Sequence, residues 1–186
     1  MADIVLEQAI IFDPLVASPD ISIAEAIARM SAARADCLLS KEAGGEQNFL
    51  QKDARASCLL VLQGTHLVGV LTERDVVRLS AEGHSFADCR LSEVMTVGVI
   101  TLRQSEFTDI FTALHLLQHH HIRHLPVVDE QGQVVGVLTH ETLRQLLRPV
   151  DMLRLQLVAE TMTTGVIHAT PDASILHIAQ LMAEHR

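Results

Sequence analysis

The 186-residue sequence has no Trp, no Tyr and only five Phe. The aromatic platforms on which single-stranded nucleic acid stacks are therefore nearly absent. Positive charge is also short: 14 Lys and Arg stand against 23 Asp and Glu, for a net charge of −9. That excludes a non-specific DNA-binding face, which needs clustered cations. It leaves open a single nucleotide in a small pocket, where a few local dipoles and cations suffice. Cysteine is sparse, with Cys37, Cys58 and Cys89 forming no CxxC. Each sits among apolar or small neighbours, which reads as reduced, buried thiols in a reducing, cytoplasmic compartment. Hydrophobic residues make up 48% of the chain, yet no apolar run is long enough to cross a bilayer. The N-terminus lacks the basic stretch and apolar segment of a secretion signal.

What is present is a repeat. Gly69-Val70-Leu71-Thr72-Glu73-Arg74-Asp75 returns 67 residues later as Gly136-Val137-Leu138-Thr139-His140-Glu141-Thr142. Val94-Met95-Thr96-Val97-Gly98-Val99-Ile100 returns at the same interval as Thr161-Met162-Thr163-Thr164-Gly165-Val166-Ile167. Two unrelated motifs with one period mean copies of one unit, too small to close a core alone and so expected to pack on each other.

The second copy, residues 91–149, is predicted as β-α-β-β-α. Val99-Ile100-Thr101 is a short strand, and Ser105 caps a helix carrying Phe107, Ile110, Phe111, Leu114 and Leu117 at helical spacing. A hairpin follows over 123–139, turning at Asp129-Glu130-Gln131-Gly132, with Pro126 better suited to an edge than to a central strand. Glu141 to Leu147 is a short helix ended by Pro149. The first copy, residues 1–90, has the same order. Leu15-Val16-Ala17 is its strand, and Ile23, Ala26, Ile27 and Met30 mark one helix face. A polar insertion over 40–55 reads as a solvated loop. A connector over 150–161 leads to a third start at 162–186, with a strand at Val166-Ile167 and a helix from Ile175 to Met182. Half a unit leaves an unpaired apolar face, so the chain reads as part of a longer protein cut inside a third copy.

These motifs resemble the CBS domain: Gly-Val-Leu-Thr-x-x-Asp at 69–75, Arg123-His124-Leu125-Pro126-Val127-Val128-Asp129, and Val94-Met95-Thr96 before Val99-Ile100-Thr101, in order and repeated. The resemblance covers roughly residues 10–186 and implies an α/β (α+β) fold, with tandem repeats packed through their sheets and modules associating as disk-like homodimers. It further implies an adenosyl ligand (AMP, ADP, ATP or S-adenosylmethionine), no required cofactor, no nucleic acid or membrane partner, and control of an output domain in the same chain. By resemblance, one site takes Val70, Thr72, Arg74 and Asp75 from the first copy and Gly98, Val99, Ile122, Arg123, His124 and Pro126 from the second. A weaker second site would use Thr139 and Thr142 with Leu15, Val16, Ala56, Ser57 and Cys58. There Thr142 replaces the family's aspartate, and Ala56-Ser57-Cys58 replaces its Arg-x-Leu-Pro run.

The residues themselves admit two readings. A threonine at a strand end and an acid three residues on face one side of the first helical turn. They suit the hydroxyls of a ribose, with the helix N-terminus favouring a phosphate. They equally suit a helix cap. Glu141 is placed either to repel a polyphosphate or to pair with Arg123. His115, His119, His120, His121 and His124 offer an i, i+4 pair that zinc can use, but no Cys or acid completes the set locally. No nucleophile–base pair or second acid near Asp75 signals catalysis. Two functions stand: a regulatory nucleotide sensor, and a ligand-free dimerisation scaffold.

Overall fold

A computed structural model describes residues 6–42, 52–146 and 162–185. The first copy comprises strand β1 (Leu15–Ala17), helix α1 (Ile23–Glu42), strands β2 (Cys58–Gln63) and β3 (His66–Thr72), and helix α2 (Glu73–Ala81). The second has helix α3 (Leu91–Val94), strand β4 (Leu102–Arg103), helix α4 (Ile110–His119), strands β5 (His124–Val128) and β6 (Val134–Thr139), and helix α5 (His140–Leu146). Helix α6 (Ile175–Glu184) belongs to the third start. Each full copy holds a three-stranded sheet, ordered β1-β2-β3 or β4-β5-β6, with the first pair parallel and the hairpin antiparallel.

Local chemistry explains the elements. Helix α1 begins where the Ser22 hydroxyl accepts the Glu25 N–H (3.2 Å), and the carbonyls of Cys89 and Phe86 take the N–H groups of Ile23 and Ala24. Its buried residues Ile23, Ala26, Met30, Ala33 and Cys37 recur at steps of three and four, as one buried helix face requires. Ile23, Ala26 and Met30 pack with Leu59, Val61 and Leu71 into the core of the first copy. Leu102, Ala113, Leu117, Leu125, Val127 and Leu138 build the second core.

The two sheets meet through Cys58, Leu60 and Val137, with Leu67, Val70 and Val134 around them. The chain also crosses between copies. Ile11 forms a two-way backbone bridge with Val137 (2.9 and 3.0 Å), so the first copy's segment before β1 adds to the hairpin of the second. Thr96 bridges Val70 in the same way (2.9 and 3.0 Å), so the second copy's segment between α3 and β4 adds to the hairpin of the first. The repeated glycines lie under these crossings. A Cβ on Gly136 would stand 2.5 Å from the Ile11 carbonyl oxygen, and one on Gly69 would meet the Met95 side chain. Glycine is what permits each approach.

Several expectations are corrected. The short strand of the second copy lies at Leu102–Arg103, not at 99–101. Its helix is capped by Asp109, which accepts the Thr112 N–H at 2.8 Å, while Ser105 sits in a 3-10 turn. Pro126 lies in β5, the central strand. Its partner Val137 turns its N–H and C=O toward Ile11, so at this pair β5 and β6 exchange no backbone bond. The missing N–H of Pro126 therefore points toward β4, which begins pairing only at Val127. Both ends of the insertion at 40–55 are helical, through Glu42 on one side and over 52–56 on the other. Val166 and Ile167 form no strand and are exposed. The connector 150–161 and Pro149 lie outside the described residues.

Candidate functional site

The first copy's half of the site starts at the β3–α2 junction. The β3 register places Thr72 at the strand end, opposite Cys58. Asp75, in the first turn of α2, accepts two bonds on Oδ2: the Thr72 N–H at 2.9 Å and the Thr72 hydroxyl at 2.7 Å. Its Oδ1 faces the Arg78 guanidinium at 3.6 Å. A carboxylate oxygen accepts about two hydrogen bonds, so Oδ2 is occupied by the cap and Oδ1 keeps capacity for a hydroxyl donor. The two readings of this pair are thus compatible: one oxygen caps the helix, and the other, near Arg78, keeps capacity for a further donor.

The second copy supplies the opposite wall. Gly98 adopts φ +67°, in the left-handed region that favours glycine, and turns the chain into Val99 and Ile100. Across from it, α4 ends in a Schellman closure. The Ile122 N–H reaches the Leu117 carbonyl (3.0 Å), and the His121 N–H reaches that of Gln118 (3.2 Å). His121 takes the left-handed position of this closure at φ +51°, where glycine is usual. The chain then runs through Arg123 into β5.

These parts enclose a cavity of about 300 Å³ lined by Val70, Thr72, Arg74, Asp75, Thr96, Gly98, Val99, Ile100, His120, His121, Ile122, Arg123 and His124. Nine of the ten residues expected for the first site are among them. Pro126 is not; it lies within β5, paired with Val137. Thr96, Ile100, His120 and His121 were missed. The first two follow from the backbone crossing at Val70, and the histidines from the closure of α4. The histidine tract in the sequence was the only available signal. Among the described residues, neither Arg74 nor Arg123 has an ion-pair partner, and no ion pair joins Arg123 to Glu141, which is exposed.

His124 links the copies. Its Nε2 lies 2.7 Å from the Ser57 hydroxyl, which donates its own proton to the Ala54 carbonyl at 2.8 Å. The hydroxyl has one proton, so Nε2–H is the donor and Nδ1 carries the lone pair. Desolvation, with the neighbouring Arg123 charge, pushes the imidazole pKa down to about 4, against a smaller upward pull from Asp75. Burial pushes the Cys58 thiol up to about 12, helped by Asp75. A neutral, protonated thiol at that position behaves as core.

The residues expected for the second site separate. Thr139 and Thr142 are 5% and 1% exposed. They satisfy each other: the Thr139 N–H donates to the Thr142 hydroxyl (3.1 Å), which donates to the Thr139 carbonyl (3.2 Å). Cys58 is in the inter-sheet core, Ser57 is bound to His124, and Val16 is exposed. The 3-10 turn Leu6–Ala9 packs on α5, and Ala9 is fully buried.

A profile for the CBS domain matches residues 6–82 and 91–149. The chain belongs to the CBS domain family. It is 27% identical over 132 residues to an uncharacterised protein of Methanocaldococcus jannaschii, covering 64% of this chain and 31% of that one. It is 42% identical over 77 residues to a homoserine O-acetyltransferase of Methanocorpusculum labreanum, covering 41% of this chain and 15% of the enzyme. The chain thus spans less than a third of either relative. Among solved structures, the CBS domain NE2398 superimposes with TM-score 0.56 at 27% identity, over 72% of this chain and 87% of that one. The CBS pair of protein MJ0100, solved with 5′-methylthioadenosine and S-adenosylmethionine, gives 0.54 at 24%, over 76% and 97%. Protein MJ1225 of M. jannaschii, a proposed archaeal homologue of γ-AMPK, gives 0.69 at 21%, over 97% and 62%. CBS domains are regulatory modules, and no helix among the described residues is long and apolar enough to cross a membrane.

Proposed function

We propose that this chain is the regulatory part of a larger cytoplasmic protein. In this reading it binds one adenosyl ligand (AMP, ADP, ATP or S-adenosylmethionine) between its two copies, works as a homodimer, and controls an attached output domain. The observation that carries the reading is the cavity itself: a ribose-accepting carboxylate from one copy faces an apolar slot and an unpaired arginine from the other. The parts divide the work. Asp75 Oδ1 accepts a ribose hydroxyl, and Val70, Val99, Ile100 and Ile122 form an apolar slot for the base. Arg74 and Arg123 offset a phosphate charge. The likeness to the MJ0100 pair, which holds two adenosyl compounds, supports this ligand class. Because the walls belong to different copies, a bound ligand favours one packing of the pair, and that preference reaches an output as a coupling free energy.

The test is thermal unfolding with millimolar AMP, ADP, ATP and S-adenosylmethionine, beside Asp75→Ala. A ligand at about a hundred times its Kd stabilises a native state that alone binds it by roughly 2.7 kcal/mol. The expected result is a rise in Tm with at least one of the four that is lost in Asp75→Ala. The variant itself loses the stability of a helix cap, about 1 kcal/mol. No rise with any of them in the folded wild type would leave the dimerisation scaffold as the function.

A further inference from the structure

Five of the chain's 11 histidines fall between positions 115 and 124. Three of them have a place in the site already described: His124 is bonded to Ser57, and His120 and His121 line the cavity. His115 and His119 have none. They stand one turn apart on α4, both exposed, with ring centroids 5.6 Å apart and ring planes within 7° of each other. Among the described residues, neither makes a hydrogen bond or an ion pair. A neutral imidazole offers one nitrogen lone pair to an acceptor of electrons. Metal–nitrogen bonds of about 2.0–2.1 Å set the centroids of two imidazoles on one tetrahedral ion roughly 5 Å apart. The observed spacing is close to that, and exposed rings can turn about their side-chain torsions to aim both lone pairs at one point. The C-terminal end of α4 carries the negative pole of the helix dipole, which favours a cation. Among the described residues, no group of three or more His, Cys, Asp or Glu could hold an ion. The protein therefore supplies two ligands here and water the rest, an open site rather than a closed zinc centre.

We propose that His115 and His119 form a two-imidazole site for a divalent transition ion of the Zn²⁺ and Ni²⁺ kind. This inference does not rest on the adenosyl reading. Imidazole nitrogen suits these ions, whereas Mg²⁺ and Ca²⁺ prefer oxygen. Side chains at i and i+4 are neighbours only while the segment is helical. The ion therefore binds the helical form and stabilises it. It ties residue 115 to residue 119 in the last turn of α4, directly before the closure that carries His120, His121 and Ile122 to the cavity wall. An ion on the outside of α4 thus holds the helix end from which that wall is built.

Calorimetric titration of the 186-residue chain with Zn²⁺ tests this, in the wild type, His115→Asn, His119→Asn and His120→Asn, with Mg²⁺ as the hard-ion control. All three histidines are exposed, so the substitutions spare the core, and equal melting temperatures of the four proteins in EDTA check that they do. The wild type is expected to bind one Zn²⁺ per chain and no Mg²⁺. His115→Asn and His119→Asn should each weaken Zn²⁺ at least about tenfold, having lost one ligand of two, and His120→Asn should stay within about twofold of wild type. Zn²⁺ should raise the melting temperature of the wild type and of His120→Asn alone. In the wild type it should also shift the imidazole proton resonances of His115 and His119 and leave those of His177 in place. No binding of Zn²⁺ below about millimolar concentration, or binding kept by both His115→Asn and His119→Asn, overturns the site. Equal weakening by His120→Asn overturns the two-ligand assignment, and equal binding of Mg²⁺ overturns the ion class.

Discussion

At the scale of single residues, the polar groups at the junction of the copies are set by burial. His124 and Ser57 occupy equivalent positions of the two copies and are joined by one 2.7 Å bond. The depressed pKa of His124 has a consequence for stability. The folded imidazole takes up a proton only near pH 4, whereas a free histidine does so near 6.5. The unfolded chain therefore binds more protons between those values, and stability falls as pH drops from 6.5 to 4. In His124→Gln that part of the loss should vanish, as read by denaturant midpoints at pH 7, 5.5 and 4. An unchanged slope would mean that His124 is solvated in the native protein. Asp75 is the residue whose neighbours in sequence say most: Thr72 is three positions away, so the cap was legible without a fold. That only one of its two oxygens is taken by the cap was not legible, because it depends on side-chain torsions.

At the scale of elements, strands and helices follow local pattern, and the misses have local causes. The hairpins at 58–72 and 124–139 follow their apolar runs and turn where the polar residues dictate, with four consecutive buried residues in each of β2, β5 and β6. The strand expected at 99–101 slipped to Leu102–Arg103 because β4 is only two residues long and is positioned by Val127 and Val128, not by its own propensity. The third start keeps its helix, capped by Ser174, but not its strand. A helix bonds within itself, whereas a strand needs a partner, and none pairs with Val166–Ile167 among the described residues. The glycines under the crossings give an element-scale prediction. Gly136→Ala sets a methyl against the backbone oxygen of Ile11, and Gly69→Ala sets one against the movable Met95 side chain. Gly136→Ala should cost about 1–3 kcal/mol as an overpacking change, and Gly69→Ala clearly less. Chemical denaturation of the two variants decides it, and a reversed order would show that the N-terminal segment yields more easily than Met95.

At the scale of the whole molecule, the two copies are one folding unit, because each lends a strand-like segment to the other's hairpin and the sheets share a core. Leu60 is fully buried in that shared core. Leu60→Ala is expected to cost about 2–5 kcal/mol and to lower a single transition, rather than release one copy alone. Two separated melting steps in calorimetry would contradict the shared core. Helix α6 buries Ala179 against α2 while Ile175, at 87% exposure, faces out.

Sequence alone determined the repeat, its β-α-β-β-α order and the family, because these rest on short-range pattern: spacing along a helix, apolar runs broken by a turn, a cap within one turn. Tertiary structure decided what depends on residues far apart in the chain. It closed Thr142 into a buried hydroxyl pair under the N-terminal segment, placed Cys58 between the sheets, and kept Pro126 in a central strand by aiming its missing N–H where β4 does not reach. It also brought Arg34 and Arg78 to a cavity beside Arg123. No local rule relates a helix surface near residue 34 to a strand beginning near residue 123. Only the packing of the two copies and of α6 makes them neighbours.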